Sequence, residues 1–182
     1  MRYNFTFKQI PIENFDVVLQ ELELLSFEHK ALKGFNLIPP YQTLCKLPTF
    51  VTWLRKYKLT VDLIAFLQVN NGNAWDVHVD YGPYDVALNL PIRGCANSST
   101  NFYKFNKAAV KTCYTNGTNL PYLEYQDPRP ELIDTYYLTR PTLINIKMPH
   151  SVNNFTSVER VCLSIRFRHD QFFDAFMESI LV

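Results

Sequence analysis

Short apolar and aromatic runs, separated by Pro, Gly, Asn and Asp, fill most of the sequence between residues 60 and 168. Runs of this length are typical of β-strands, and the residues between them favour turns. They predict eight strands, at residues 60–69, 74–80, 85–92, 100–105, 133–138, 142–148, 150–154 and 158–168. Eight short antiparallel strands in about 110 residues favour a jelly roll, in which two sheets close into a flattened barrel.

Helical spacing of apolar residues marks three further segments. Residues 13–25 and 50–58 each present one apolar face, which predicts two amphipathic helices before the barrel. Residues 170–181 predict a closing helix, with Asp170 as its N-cap. The remaining predictions are a strand at 3–9, a loop at Pro39-Pro40 and an irregular insertion at 106–131. The predicted fold class is mainly β: a double-stranded β-helix (a cupin-like jelly roll) with flanking N-terminal helices and a C-terminal helix.

The length of 182 residues and the hydrophobic content of 47% suffice for one domain with a buried core. We expect this single domain to consist of a helical part at 1–59, a barrel core at 60–168 and a helix at 170–181. The net charge is +1 and no basic stripe is present, so no nucleic-acid partner is expected. No apolar run is membrane-length and no signal sequence opens the chain, which predicts a soluble, cytoplasmic protein without membrane contact.

Alternation in the last predicted strand indicates what its two faces contact. Its apolar residues are Val161, Leu163, Ile165 and Phe167, and its mixed residues are Arg160, Cys162, Ser164 and Arg166. The two preceding helices need an apolar partner, so we expect the apolar face to pack against them and the mixed face to turn into the barrel. Arg160, Ser164 and Asn89 then line a cavity. The alternative, common in two-layer sheets, places the apolar face inside the barrel and the arginines in solvent.

A His-x-Asp triplet, His78-Val79-Asp80, ends one predicted strand just before Tyr81-Gly82-Pro83. Residues two apart on a strand point the same way, so both side chains can reach one ion. With His150, about seventy residues later, they complete the two-histidine, one-carboxylate set of non-heme Fe(II) oxygenases. The alternative for the triplet alone is a surface His-Asp pair beside a turn.

Four phrases carry a resemblance to a known family: His78-Val79-Asp80, Ala87-Leu88-Asn89-Leu90-Pro91-Ile92, Pro149-His150-Ser151-Val152-Asn153-Asn154 and Arg160-Val161-Cys162-Leu163-Ser164-Ile165-Arg166-Phe167. Together they resemble the 2-oxoglutarate and Fe(II)-dependent oxygenase superfamily. The nearest branch consists of small, often phage-encoded or bacterial, members related to the aspartyl/asparaginyl β-hydroxylases. The resemblance covers roughly residues 60–168. Those β-hydroxylases lack the acidic metal ligand, whereas this chain has Asp80, so their substrate preference is not carried over.

The resemblance implies a role for each matching residue. His78, Asp80 and His150 match the metal ligands, and Arg160, ten residues after the second histidine, matches the residue that pairs with the distal carboxylate of 2-oxoglutarate. Arg166 is the alternative for that role. In the family barrel the last strand rises towards the cavity mouth, which places Arg166 about 20 Å above Arg160, near the rim. Asn89 or Ser164 is a candidate for an additional hydrogen bond.

The function that follows from the resemblance is a dioxygenase that uses Fe(II), O2 and 2-oxoglutarate as cosubstrate. It hydroxylates a C–H bond of a protein side chain, an amino acid or a small metabolite and releases succinate and CO2, so the expected partner is a small-molecule or peptide substrate. The alternative is a non-catalytic, cupin-like metal-binding or structural interaction module. The tyrosines of the insertion and just beyond it either form a lid over the barrel mouth or anchor a long loop: Tyr114, Tyr122, Tyr125, Tyr136 and Tyr137.

Overall fold

The computed structural model describes residues 3–28, 34–106, 110–115 and 120–181 and contains twelve strands and four helices in these ranges. The strands are β1 (Phe7–Gln9), β2 (Gly34–Ile38), β3 (Val61–Val69), β4 (Asn73–Asp80), β5 (Val86–Arg93), β6 (Ser99–Tyr103), β7 (Val110–Tyr114), β8 (Pro121–Tyr125), β9 (Leu132–Tyr137), β10 (Thr142–Asn145), β11 (His150–Asn154) and β12 (Arg160–Phe167). The helices are α1 (Phe15–Glu28), α2 (Pro40–Leu44), α3 (Pro48–Lys56) and α4 (Gln171–Leu181).

The strands form two six-stranded antiparallel sheets. The first sheet has the order β1-β10-β5-β12-β3-β2, and the second has the order β7-β8-β4-β11-β6-β9. The eight strands predicted from sequence are β3 to β6 and β9 to β12, and they supply four adjacent strands of each sheet. The predicted jelly roll is confirmed.

The helices cover the outer face of the first sheet. Residues of α1, α3 and α4 share one buried cluster with the apolar residues of β12, among them Leu22, Phe50, Phe176, Leu163 and Phe167. Burying a side chain of this size contributes roughly 1.5–3 kcal/mol, so the helices and the sheet stabilise each other. The mixed face of β12 therefore turns towards the second sheet, which confirms the expected orientation.

A second buried cluster lies between the two sheets. It joins Ala65, Ala87 and Cys162 of the first sheet to Phe102 and Tyr136 of the second. These three first-sheet residues are small, whereas the two second-sheet residues are aromatic. In the middle of the barrel, short side chains of the first sheet therefore face large rings of the second sheet.

Part of the segment predicted as an irregular insertion at 106–131 is regular, and that prediction was wrong. β7 pairs with β8, and β8 pairs with β4, so that Glu124 lies opposite His78 and Tyr122 opposite Asp80. The segment extends the second sheet beside the His-x-Asp triplet. Residues 107–109 and 116–119 lie outside the described part of the chain.

Other boundaries differ in ways that have physical reasons. The predicted loop at Pro39-Pro40 is the start of α2, because proline in the first turn of a helix loses no hydrogen bond. The predicted strand at 142–148 ends at Asn145, whose side chain accepts a hydrogen bond from the Lys147 backbone and starts a turn. The predicted strand at 3–9 is reduced to Phe7–Gln9.

None of the helices that the structure describes is both long and apolar enough to cross a membrane. The four cysteines are free: Cys95 and Cys162 are buried, Cys113 is half-buried and Cys45 is exposed.

Candidate metal centre

The three residues predicted to bind a metal meet at one end of the second sheet. Asp80 is the last residue of β4, His150 is the first residue of β11, and His150 lies directly opposite His78. One ligand atom from each of the three side chains lies within 4.8 Å of the other two, and His78 Nε2 is 3.7 Å from Asp80 Oδ1. Within the described residues, this is the group of His, Cys, Asp and Glu side chains close enough to hold one ion.

The backbone that carries Asp80 is held on two sides. Its amide donates to the Ile146 carbonyl at 3.0 Å, and Lys147 Nζ donates to the carbonyl of Asp80 at 3.1 Å and that of Gly82 at 2.8 Å. Gly82 has a φ of +121°, which glycine adopts readily and which turns the chain away from β4. The strand end is therefore fixed where the carboxylate is needed.

A backbone carbonyl fixes the orientation of each imidazole. His78 Nδ1 lies 2.7 Å from the Asp76 carbonyl oxygen, and His150 Nδ1 lies 2.9 Å from the Met148 carbonyl oxygen. A carbonyl oxygen can only accept, so Nδ1 carries the hydrogen in each ring and donates it. Each Nε2 then keeps a free lone pair, which is the form in which neutral imidazole binds a metal.

The charge state of the three groups suits a divalent cation. Burial lowers the pKa of His150 to about 4, and the neighbouring His78 acts in the same direction. Burial acts to raise the pKa of Asp80, but the positive charge of Arg166, together with the two histidines, outweighs it and the pKa lies below its usual value. At neutral pH the site thus offers a neutral His150 imidazole and an ionised Asp80 carboxylate, with His78 as the third side chain, and two histidines with one carboxylate are the donor set of non-heme Fe(II) sites.

Arg166, the predicted alternative for binding 2-oxoglutarate, donates hydrogen bonds to two protein side chains. Its Nη2 donates to Asp80 Oδ2 at 2.8 Å, and its Nη1 donates to Ser164 Oγ at 2.6 Å. Ser164 Oγ in turn donates to Asn89 Oδ1 at 2.6 Å. The two residues considered for additional contacts to 2-oxoglutarate thus contact each other, and Ser164 also contacts Arg166.

Arg160 lies at the opposite end of the barrel from the three candidate ligands. It pairs with Val69 at the end of β3, whereas Arg166 pairs with Leu63 near its start. The Arg160 residue is 1% exposed, and its Nη2 donates to Thr100 Oγ1 at 3.3 Å. The Nε and Nη1 atoms of Arg160 have no hydrogen-bond partner among the described residues. No carboxylate of the described residues forms an ion pair with the Arg160 guanidinium, whereas Arg166 pairs with Asp80. The guanidinium is therefore a buried charge with spare donors.

Tyr136 shares the surroundings of Arg160. Its hydroxyl is also buried without a hydrogen-bond partner in the described part of the chain. Burial raises the pKa of Tyr136 to about 12, although the neighbouring Arg160 guanidinium acts in the opposite direction. The hydroxyl consequently remains protonated at neutral pH and is able to donate a hydrogen bond. Arg160 and Tyr136 together hold three buried polar atoms without a partner.

Thr100 did not emerge from the sequence as a site residue, and Tyr136 was considered only as part of a lid or a loop anchor. Neither belongs to a motif, and each lies within a segment assigned as an ordinary strand. They are brought near Arg160 because β6 pairs with β9, with Thr100 opposite Tyr136. The predicted barrel could have indicated them, because residues of the second sheet face the mixed side of β12, which carries Arg160.

A cavity of about 600 Å³ opens beside the candidate ligands. His78, Asp80 and Arg166 line it, together with six aromatic side chains: Phe35, Trp75, Tyr81, Tyr84, Tyr114 and Tyr122. The tyrosines of the β7–β8 segment divide between the two roles considered for them. Tyr114 and Tyr122 line the cavity, whereas Tyr125 is buried and its hydroxyl donates to the Lys104 carbonyl at 2.9 Å.

Comparison with known proteins supports the fold. No protein-family model matches the sequence, and no curated protein matches it. Among solved structures, AviO1 from Streptomyces viridochromogenes Tue57 is 11% identical, with 91% of this chain and 90% of that chain covered and a TM-score of 0.51. A Pseudomonas putida prolyl-4-hydroxylase (13% identical, 91% and 93% covered, TM-score 0.48) and apo HygX from Streptomyces hygroscopicus (12% identical, 89% and 81% covered, TM-score 0.49) also match. The likeness to AviO1 shows that the two chains share a fold, which in this chain is the jelly roll.

Proposed function

We propose that the protein is a non-heme Fe(II) and 2-oxoglutarate-dependent dioxygenase that hydroxylates a C–H bond of a small molecule or a peptide. His78, Asp80 and His150 would hold the iron through Nε2, a carboxylate oxygen and Nε2. The donor set fits, because the Nδ1 of both histidines contacts a backbone carbonyl, which leaves Nε2 for the metal, and because Arg166 and the two histidines keep the pKa of the Asp80 carboxyl below its usual value. When bound, iron and cosubstrate together supply the oxidation, in which 2-oxoglutarate is converted to succinate and CO2.

The observation that carries this proposal is the unpaired Arg160. A buried charge without a partner is costly, and proteins pair such charges or bind a counter-charge to them. A charge-assisted hydrogen bond from a guanidinium to a carboxylate is strong. Nε and Nη1 of Arg160 lie on different edges of the guanidinium, so each edge offers a donor without a partner among the described residues. With the Tyr136 hydroxyl, these donors fit the distal carboxylate of a short diacid.

Several side chains between the two ends of the barrel are short. On β12 the interior residues between Arg160 and Arg166 are Cys162 and Ser164, and Ala65 and Ala87 lie on the adjacent strands. A diacid that joins the two ends would meet these small groups beside the larger Leu67, which lies opposite Cys162. Substrate would enter from the aromatic cavity beside His78 and Asp80, where the rings exclude water from the reacting bond.

Turnover of 2-oxoglutarate tests this function directly. Purified protein is incubated with Fe(II), ascorbate and 2-oxoglutarate, and succinate is measured; even without the true substrate, slow uncoupled succinate formation is expected. The His150→Ala variant should abolish it. Metal-loaded protein that neither forms succinate nor gains thermal stability on addition of 2-oxoglutarate would instead be a metal-binding jelly roll with another role.

A further inference from the structure

The two carboxylate oxygens of Asp80 have different surroundings. Oδ2 accepts from Arg166 Nη2 at 2.8 Å, whereas Oδ1 lies 3.7 Å from His78 Nε2, on the side of the other candidate ligands. A carboxylate binds a metal through one oxygen or through both. Because a charge-assisted hydrogen bond occupies Oδ2, Oδ1 is the oxygen left for the ion.

The guanidinium of Arg166 is itself held in place. Its side chain is 7% exposed, and Nη1 donates to Ser164 Oγ, which donates onward to Asn89 Oδ1. Ser164 lies directly opposite Asn89 in the pairing of β12 with β5, so the register of two central strands fixes the position of the fork. The hydrogen bonds run in one direction from Arg166 through Ser164 to Asn89, and a second arm reaches Asp80.

We propose that Arg166 is a positioning residue that holds Asp80 for metal binding through Oδ1 alone. The inference rests on the proposed iron site, and it gives Arg166, Ser164 and Asn89 a joint role that neither the sequence motifs nor the predicted cosubstrate contacts assign. Arg166 acts on the metal through Asp80. Residues that orient a metal ligand in this way raise metal affinity by fixing the ligand before the ion arrives.

Two physical effects of Arg166 oppose each other, which makes the proposal testable. A guanidinium close to a dication repels it, so a role as mere counter-charge predicts tighter metal binding when Arg166 is removed. A positioning role predicts weaker binding, because the freed carboxylate can rotate. The sign of the change in metal affinity therefore separates the two.

The experiment titrates Co²⁺ into the metal-free protein and follows the visible absorption of the bound ion. Arg166→Met is expected to weaken Co²⁺ binding about tenfold to a hundredfold and to change the absorption spectrum, since the coordination of Asp80 changes. Arg166→Lys should restore little, because an ammonium lacks the second arm that reaches Ser164. Arg168→Met is the matched control: it removes an arginine two residues away, exposed and paired with Asp62, and should leave the affinity unchanged.

Ser164→Ala keeps Arg166 and removes only its anchor, and it serves if Arg166→Met does not fold. A loss of roughly threefold to tenfold in Co²⁺ affinity is expected for this variant. Unchanged or tighter Co²⁺ binding in a folded Arg166→Met protein, or an unchanged affinity in Ser164→Ala if that protein is the one that folds, would overturn the positioning role.

The proposed function is tested in the same samples by adding 2-oxoglutarate. If wild-type protein binds Co²⁺ but not 2-oxoglutarate, the oxygenase proposal fails while the effect of Arg166→Met on metal affinity still decides the positioning role. If 2-oxoglutarate binds and Arg166→Met leaves metal affinity intact, the oxygenase proposal stands and the positioning role fails.

Discussion

Each end of the barrel contains a buried arginine, and the two arginines differ in their hydrogen-bond partners. Arg166, at the mouth, has an acceptor on each arm, Asp80 and Ser164. Arg160 lies on the same face of the same strand, at the far end, and within the described residues its guanidinium makes only the 3.3 Å hydrogen bond to Thr100. An arginine that pairs with protein groups stabilises the folded protein, whereas a buried arginine without a partner is costly until a ligand binds. Under the proposed function, this contrast gives Arg166 a structural role and Arg160 the role of binding the ligand.

Replacing Arg160 is the largest test of this contrast. In metal-saturated protein, Arg160→Met should weaken 2-oxoglutarate binding by about 2–5 kcal/mol, roughly thirtyfold or more, because it removes one partner of a buried charge pair. In ligand-free protein the same change removes an uncompensated buried charge, so the free energy of unfolding should stay equal or rise. Calorimetric titration and thermal unfolding measure the two effects.

Arg166→Met provides the opposite case for comparison. It leaves Asp80 without its cation, so we expect lower stability of the ligand-free protein and, at saturating metal, a smaller loss of 2-oxoglutarate affinity than Arg160→Met causes. The reverse order in 2-oxoglutarate affinity would show that Arg166 is the cosubstrate clamp. Equal destabilisation of the ligand-free protein by both variants would remove the contrast between the two ends.

The mouth of the barrel should also be the pH-sensitive end. His150 has a pKa of about 4 in the folded protein, whereas an unfolded histidine titrates near 6.5. Between these pH values the unfolded chain binds a proton at this residue and the folded chain does not. Stability from this group is complete above pH 6.5 and is lost as the pH falls towards 4, by on the order of 3 kcal/mol in metal-free protein. Tyr136 at the far end has a pKa of about 12 and contributes nothing in this range.

Denaturant unfolding of metal-free protein between pH 4 and pH 7 measures this loss. The His150→Gln variant should have a flatter profile, because it lacks the titrating ring. Parallel profiles for the two proteins would contradict a neutral, buried His150.

The sequence predicted the barrel and the His78–Asp80 part of the metal group from local patterns, whereas His150 was added because it completes the donor set of the family that the sequence resembles. Alternation in β12 and the two-residue spacing of His78 and Asp80 are properties of single strands. Both are found in the structure as the sequence predicted. The orientation of β12 followed from one added fact, that the helices need an apolar partner. These parts of the structure required no knowledge of strand order.

The missed features depend on pairing between distant segments. β2 is an edge strand that begins at Gly34 and forms only because β3 lies beside it. β8 begins with Pro121. In a sequence pattern proline argues against a strand, although proline is tolerated as the first residue of one. Asn116-Gly117, between two aromatic runs, was an available hairpin signal. The Arg166–Asp80 pair joins residues 86 apart in sequence, and spacing alone gives no indication of it.

The far end of the barrel can be disturbed without touching a charge. Gly94 has a φ of +64°, and a Cβ there would lie 2.1 Å from the carbonyl oxygen of Glu159, next to Arg160. Gly94→Ala must shift the start of β12, so it should destabilise the protein by about 1–3 kcal/mol more than Gly72→Ala. Gly72 is the matched control, with a φ of +71° and open space around its Cβ position. Chemical denaturation of both variants gives the difference, and equal losses would show that β12 yields freely at this end.

Tyr136→Phe should have the smallest effect and separates the hydroxyl from the guanidinium. The change removes a buried hydroxyl that has no hydrogen-bond partner of ordinary geometry among the described residues, although Asn89 and Thr100 lie near it, so the ligand-free protein should lose little stability. If the hydroxyl donates to the same carboxylate as Arg160, 2-oxoglutarate affinity should fall by about 1.5 kcal/mol, roughly tenfold. Calorimetric titration of metal-loaded protein measures it, with Tyr137→Phe as the exposed control on the same strand. An unchanged affinity for 2-oxoglutarate would mean that Arg160 binds the carboxylate without Tyr136. Lost stability with an unchanged affinity would show that Tyr136 has a structural role, like that of Arg166, which pairs with Asp80.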